Sequence, residues 1–499
     1  MSYQNCTAMK SILITTLLSF CLSLSAQDFQ LLNGNILMAQ KGKVVHSLSY
    51  GYADMPSRTP NTLATPFNLA SISKTFTATA ILQLMEKGKL KLDDTFQQYF
   101  PNFPYPDITI KHLLTHTSGL PDLELFEPLI KQYPDTIVTS HILIDQLQAA
   151  HRPLAFNPGE EFRYCNNGFV LLGLLVELIS HEPFDVYLTK HIFNPAHMYE
   201  TFVYDPTQNK LPTQVTKHVY ESFAIDTLSR VGDSKRYRYT DYNNDAAIGA
   251  SNIVTTVNDM LLFDKAFFRY KLLSPAAVQL ALTPVKLKNG TIHSEKVMDT
   301  MQGEGTGSYG LGWELFNQPG YGKGAGHGGF KFGLATFYYH NLDKNQTIIA
   351  FDNTAAPSFG AIVTNALHML NNEAPKKIDD KKSLARIYVT TLVKDGADAA
   401  APQLTLLKTD TAHYYLSEWE LNKAGYEQLY DYYRIDAALE IFKLNCLLFP
   451  HSFNTYDSYG EALNKAGKRN EAIALYERSI QINPNNEDGM RELKKIKAR

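Results

Sequence analysis

Phe67-Asn68-Leu69-Ala70-Ser71-Ile72-Ser73-Lys74 leads into an apolar run. Phe76, Ala80, Ile81 and Leu84 recur at helical spacing and Gly88 stands where the pattern stops. A helix is therefore predicted to begin close to Ser71 and to be capped near Gly88. Residues three apart share a helix face, so Lys74 comes within reach of the Ser71 hydroxyl. A serine alone is too weak to attack a carbonyl, and a basic neighbour activates it. Backbone N–H groups at the start of that helix carry partial positive charge, which favours an alkoxide or oxyanion.

Two later stretches add polar groups. Tyr164-Cys165-Asn166 follows the turn-rich Asn157-Pro158-Gly159 and precedes residues 169–175, an apolar run that reads as a buried helix. A phenol held near Lys74 loses its proton more readily than in water. Asn166 would use its carbonyl and NH2 groups to orient Lys74 or a substrate amide. Gly326-His327-Gly328-Gly329-Phe330 reads as a glycine-rich corner into a β-hairpin, with residues 334–339, a turn over 341–345, and residues 347–352. Glycines there let a ligand approach the backbone closely.

Taken in order, these three segments carry S-x-x-K, Y-x-N and H-x-G, and they resemble the serine β-lactamase and penicillin-binding-protein family, specifically its class C and esterase-like branch. Residues 35–52, 110–121, 249–259 and 309–313 resemble further family segments, so the likeness spans residues 30–370. It implies an α/β (α+β) β-lactamase/transpeptidase-like fold, an antiparallel sheet flanked by helices plus an all-helical region. It also implies that Ser71 is the nucleophile and that Lys74 and Tyr164 handle its proton, with the choice of base between them open. Asn166, His327, Gly329 and Phe330 would meet the substrate, and the oxyanion hole would come from the backbone N–H groups of Ser71 and Phe330. His112 and His116 belong to the scaffold on this analogy.

One departure bears on substrate. K-T-G members of the family carry a lysine that helps bind a carboxylate where this chain has His327, and an imidazole is mostly neutral at neutral pH. Lys331 and Lys323 are the nearby lysines that would replace it. The H-x-G branches point to esters, amides and D-amino-acid peptides rather than β-lactams. The resulting expectation is an exported serine hydrolase acting through an acyl-enzyme on a peptide, amide or ester. The competing reading is a non-catalytic module that binds peptidoglycan fragments or β-lactams. No cofactor is expected, and no Cys-His or His-Glu-x-x-His spacing suggests a metal.

Residues 9–26 hold a basic start, a short apolar core and a small residue at Ala26, the pattern of a secretory signal, which places the protein in the periplasm of a Gram-negative source or outside the cell otherwise. Once it is cut, Cys165 and Cys446 remain of four cysteines, too few for a disulfide framework. With 47 basic and 50 acidic side chains, a net charge of −3, and no basic cluster interleaved with aromatics, nucleic acid is excluded as a partner.

The C-terminal part changes character. Residues 371–377 read as a linker, residues 383–393 as a helix and residues 395–402 as an alanine- and glycine-rich loop. The step from Pro450 to Pro484 also carries Ala438 to Ala472, Leu439 to Ile473 and Phe442 to Tyr476. That step is the tetratricopeptide period, and such repeats dock peptides or proteins or serve only to stabilise. The expected organisation is a signal over 1–26, a hydrolase domain over 27–372, a linker with a helix over 373–410, and TPR-like helical repeats over 411–499.

Overall fold

The computed structural model describes residues 29–498 except 30, 134–136, 138, 208–214, 221, 226, 235, 239–246 and 297–304. The expected export signal lies outside the described residues. The chain forms two compact units, Met1–Val219 with Ser229–Ile378, and Tyr220–Leu228 with Asp379–Arg499.

The first unit is built on one antiparallel sheet of eight strands. They are β1 (Gly34–Gln40), β2 (Lys43–Tyr50), β3 (Glu295–Lys296), β4 (Thr306–Tyr309), β5 (Glu314–Gln318), β6 (Gly322–Lys331), β7 (Leu334–Asn341) and β8 (Gln346–Asp352), in the order β3-β4-β5-β6-β7-β8-β1-β2. The opening hairpin thus joins the last strand, with Gly34 opposite Asp352 and Gln40 opposite Gln346.

Strand periodicity explains why both sheet faces are covered. Ile36, Met38, Phe337, Tyr339, Ile348 and Ala350 point to one side, where Phe359, Ile362, Val363 and Ala366 of helix Phe359–Leu370 pack on them. Leu37, Ala39, Tyr338, Ile349 and Phe351 point to the other. There they share a core with α1 (Ser73–Glu86), α2 (Asn166–Ser180) and α3 (Val257–Phe268).

The His-Gly-Gly segment differs from its expected place in a corner. It lies inside β6, paired residue for residue with β7 from Gly324↔Asn341 to Lys331↔Leu334. The glycines serve close packing: a side chain at Gly326 would collide with the Tyr338 carbonyl, and one at Gly329 with Thr336 Oγ1 and the Leu69 carbonyl. The predicted start and cap of α1 match the structure, for Ser71 sits in a short 3-10 turn just before it and Gly88 follows it with φ +67°.

The second unit is helical, with α4 (Leu384–Asp395), α5 (Ala397–Leu407), α6 (Glu418–Tyr426), α7 (Ile435–Leu448), α8 (Phe453–Lys465), α9 (Arg469–Ile482) and α10 (Glu487–Ala498). Of the expected loop over 395–402, Asp395 closes α4, Gly396 alone separates the two helices, and residues 397–402 begin α5. Gly396, at φ +90°, opens that helix, and the alanines carry it through Pro402, which removes one backbone bond without ending the element. The span read as a linker therefore carries two helices, and Leu384, Tyr388, Val389, Ala400 and Leu404 share a core with Leu421, Ala424, Ile441 and Phe223.

Helices α7 and α9 follow the same step as the two prolines, Arg469 repeating the start at Ile435 and Ile482 the end at Leu448. Gly425 packs on the Phe442 ring and Gly460 on Tyr476, a small residue of one helix facing a large one of the next. Cys165 and Cys446 are both free thiols. Among the described residues no helix is long and apolar enough to cross a membrane.

Phe442, fully buried, anchors its cluster with Leu429, Ala438 and Ala462. Phe442→Ala is expected to destabilise the second unit by about 3–5 kcal/mol, read as a lower urea midpoint in its helical circular dichroism.

Candidate active site

The turn that presents Ser71 is tied on every side. Leu69 N–H donates to the Ile253 carbonyl at 2.8 Å, Thr336 Oγ1 donates to the Leu69 carbonyl at 2.8 Å, and Ala70 N–H donates to Asn68 Oδ1 at 2.8 Å. Ala70 is held at φ +47°, a left-handed conformation that costs an alanine about 1–2 kcal/mol. The surrounding bonds over-determine it, and strain of this kind collects at functional sites.

Lys74 is fully buried. Its Nζ lies 2.9 Å from Ser71 Oγ, 2.9 Å from Asn166 Oδ1 and 3.0 Å from the Ala250 carbonyl oxygen. An ammonium fills all three positions as a donor. An amine keeps two donors, for the carboxamide and the carbonyl, and turns its lone pair to the Ser71 hydroxyl. Burial lowers the Lys74 pKa to about 7, helped by the like charge of Lys331 and opposed by Asp122, Cys165 and Glu314. Both forms are therefore accessible near neutrality.

Asn166 is oriented by Asp122, whose carboxylate accepts from Asn166 Nδ2 at 2.9 Å and from the backbone N–H groups of Asn166 at 2.7 Å and Asn167 at 3.2 Å. The NH2 group is committed to that carboxylate, so Oδ1 faces Lys74. Sequence reading missed Asp122; the one available signal was a carboxylate directly after Gly119-Leu120-Pro121. The Ala250 carbonyl had no signal at all, since any residue type supplies one.

Lys74 Nζ stands 4.9 Å from the centre of the Tyr164 ring. The expected phenolate is not favoured. Loss of hydration drives the Tyr164 pKa well above 10 and outweighs the opposing contact with Ser71. Tyr164 is half-buried and lines the cavity as a neutral phenol. His327 is 1 % exposed and burial pushes its pKa down to about 3, so it is a neutral imidazole.

A cavity of about 1140 Å³ opens over these groups, lined by Ser71, Tyr164, Asn166, His327, Gly329 and Phe330. The residues expected to react with or meet the substrate thus come together at one place, with Lys74 beneath the floor. Of the two lysines proposed to replace the K-T-G lysine, Lys331 lines the cavity and donates to the Ser251 carbonyl at 2.9 Å. Lys323 is exposed near the opposite end of β6. Phe330 is 69 % exposed, an apolar side chain at the cavity wall. His112 caps its own short helix by accepting from Thr109 N–H, whereas His116 reaches Tyr309 in the cavity wall.

A serine touching a buried lysine, set between a helix start and a glycine-bearing strand of an antiparallel sheet, defines a serine hydrolase of β-lactamase fold. The chain belongs to the Beta-lactamase family, which matches residues 27–379. It is 31 % identical over 383 residues to "Penicillin-binding protein 4*" of Bacillus subtilis (strain 168), covering 74 % of this chain and 81 % of that protein. A penicillin-binding protein from Bacillus halodurans superposes with a TM-score of 0.55 at 27 % identity, over 68 % of this chain and 96 % of the other. D-amino acid amidase from Ochrobactrum anthropi SV3 shares the fold, with a TM-score of 0.56 at 21 % identity over 70 % and 96 % of the two chains.

The Lys74 environment makes a direct prediction. Its side chain should titrate near pH 7 in lysine-selective NMR. Lys331→Met removes a like charge and should move that titration to higher pH, whereas Asp122→Asn removes an opposite charge and should move it lower. Equal, same-direction shifts would contradict the electrostatics described.

Proposed function

We propose that the protein hydrolyses a peptide, amide or ester through an acyl-enzyme, in the manner of a D-amino-acid peptidase, amidase or esterase. The observation that carries this reading is the 2.9 Å approach of the fully buried Lys74 Nζ to Ser71 Oγ. Lys74 as an amine takes the Ser71 proton while Oγ forms the new bond to the substrate carbonyl carbon. The backbone N–H groups of Ser71 and Phe330 receive the oxyanion. Collapse of the tetrahedral species breaks the bond to the leaving group, which takes a proton from the Lys74–Tyr164 pair, with Tyr164 acting as a neutral phenol. Water then attacks the acyl carbon and gives a proton to the same pair, which passes it to Ser71 Oγ as the acyl–Oγ bond breaks, releasing the acid and restoring the Ser71 hydroxyl.

Asn166 holds Lys74 in place, Gly329 lets β6 lie against the Ser71 turn, and the exposed Phe330 ring favours an apolar substrate group. His327, neutral and buried, offers no charge to a substrate carboxylate, which supports esters and amides over β-lactams. The signal-like pattern of residues 9–26 supports export of the chain. The shared step of α7 and α9 supports a TPR-like array over 411–499, following the 27–372 hydrolase domain and the 373–410 connection, that docks a protein partner.

Ser71→Ala should abolish turnover of p-nitrophenyl acetate and prevent any mass increase with a fluorophosphonate, while wild type gains one adduct and leaves a penicillin largely unhydrolysed. Labelling of the alanine variant at the wild-type rate would remove Ser71 as nucleophile. For wild type, kcat/KM should rise with pH through an inflection near 7, because the Lys74 ammonium present below that pH cannot accept the hydroxyl proton.

A further inference from the structure

Beside the lysine and serine runs a chain of hydrogen bonds whose two ends are backbone groups of fixed polarity. It begins at the Cys165 backbone N–H, which donates to His116 Nδ1 at 3.1 Å. His116 Nε2 lies 3.1 Å from the Tyr309 hydroxyl, and that hydroxyl lies 3.0 Å from His327 Nε2. His327 Nδ1 ends the chain 2.6 Å from the Gly328 carbonyl oxygen. His116, Tyr309 and His327 are 1 %, 4 % and 1 % exposed, so no bulk solvent competes for these bonds.

Proton positions along the chain follow from its ends. A backbone amide can only donate, so His116 Nδ1 carries a lone pair, which excludes the imidazolium and leaves the ring proton on Nε2. That proton points to the Tyr309 oxygen. The Tyr309 proton therefore goes to His327 Nε2, since His116 Nε2 has no lone pair to receive it. His327 Nε2 then accepts, and its ring proton stands on Nδ1, facing the Gly328 carbonyl, which can only accept. Starting from the Gly328 end gives the same assignment, because a bare Nδ1 against a carbonyl oxygen at 2.6 Å would set two lone pairs together.

We propose that His116 and Tyr309 are positioning residues that act through His327, an ordered relay that locks the H-x-G segment against the Y-x-N segment across the nucleophile. At one end His116 also lies on the Tyr164 ring, with centroids 4.1 Å apart. At the other, Gly328 is held through both its polar atoms, its carbonyl by His327 Nδ1 and its N–H by Glu314 Oε2 at 3.1 Å. Glu314 Oε1 lies 3.5 Å from the same Nδ1. With the Gly328 peptide groups held, Gly329 and Phe330 cannot rotate away from the Ser71 turn. The relay thus serves a transition-state interaction more than ground-state binding. Its kinetic consequence rests on the acyl-enzyme reading; its proton assignment does not.

The test is long-range proton–nitrogen NMR at pH 7 on the full chain with ring-labelled histidine. His116 should show the Nε2–H tautomer and His327 the Nδ1–H tautomer. The opposite tautomer at either ring, or a charged imidazolium, overturns the relay whatever the enzyme's activity. In Tyr309→Phe, His116 should keep its tautomer, held by the Cys165 amide, while the His327 Nε2 resonance moves to that of a nitrogen without a donor.

That variant should also lose about tenfold in kcat on p-nitrophenyl acetate, the scale of one hydrogen bond, with KM little changed. Correct tautomers with an unchanged kcat would overturn the positioning role while leaving the hydrolase reading intact. A wild type without any turnover or Ser71 labelling would overturn that reading and leave the tautomers standing.

Discussion

A lysine with no exposed surface is the constraint around which the first unit is arranged. An ammonium taken out of water is costly unless its donors find acceptors, and here three arrive from three separate parts of the chain: Ser71 Oγ before α1, Asn166 Oδ1 at the start of α2, and the Ala250 carbonyl. Displacing any one strands a donor on a buried cation. The same interaction thus positions α2 and the residues around 250 relative to α1. Burial that brings the Lys74 pKa to about 7 leaves the protonated and deprotonated forms close in free energy, which a proton carrier needs.

The sheet supplies rigidity to this arrangement. Because it is covered on both faces, β6 cannot shift without disturbing the side chains of β7 and the core beneath them. Gly329 exists where the strand meets the Leu69 carbonyl and Ala70, so β6 and the Ser71 turn approach at backbone distance. Thr336 on β7 bonds the same Leu69 carbonyl from behind. The strained Ala70 is therefore supported by two neighbouring strands rather than by its own helix.

What could be read from residues alone follows the range of the interactions involved. The Ser71–Lys74 spacing, the Gly88 cap and the repeated step from α7 to α9 are local or periodic, and each is visible without tertiary knowledge. The His-Gly-Gly segment was not legible as strand because glycine carries a low strand propensity and its role there is set by Thr336, Tyr338 and Leu69. Helix α5 was obscured by Pro402, a breaker whose effect depends on how many other bonds hold the turn. The Tyr164 phenol went the other way from expectation because proximity to a cation is readable and dehydration is not. Asp122 and Ala250 act through the fold, far along the chain from the groups they serve.

The second unit takes in Tyr220–Leu228, a stretch made long before the rest of it. There Glu427 accepts from the Phe223 N–H at 2.8 Å and from Ser222 Oγ at 3.0 Å, and Arg386 lies over the Tyr220 and Phe223 rings. The unit is therefore not a cassette that can be transplanted by cutting the chain at one point. A ribosome that has released the chain only as far as Ile378 has already emitted a segment whose partners do not yet exist, and Phe223 must wait in water for α4 and α7. Assembly of the second unit is in this sense a late step of synthesis, completed when the newest part of the polypeptide returns to a piece of its middle.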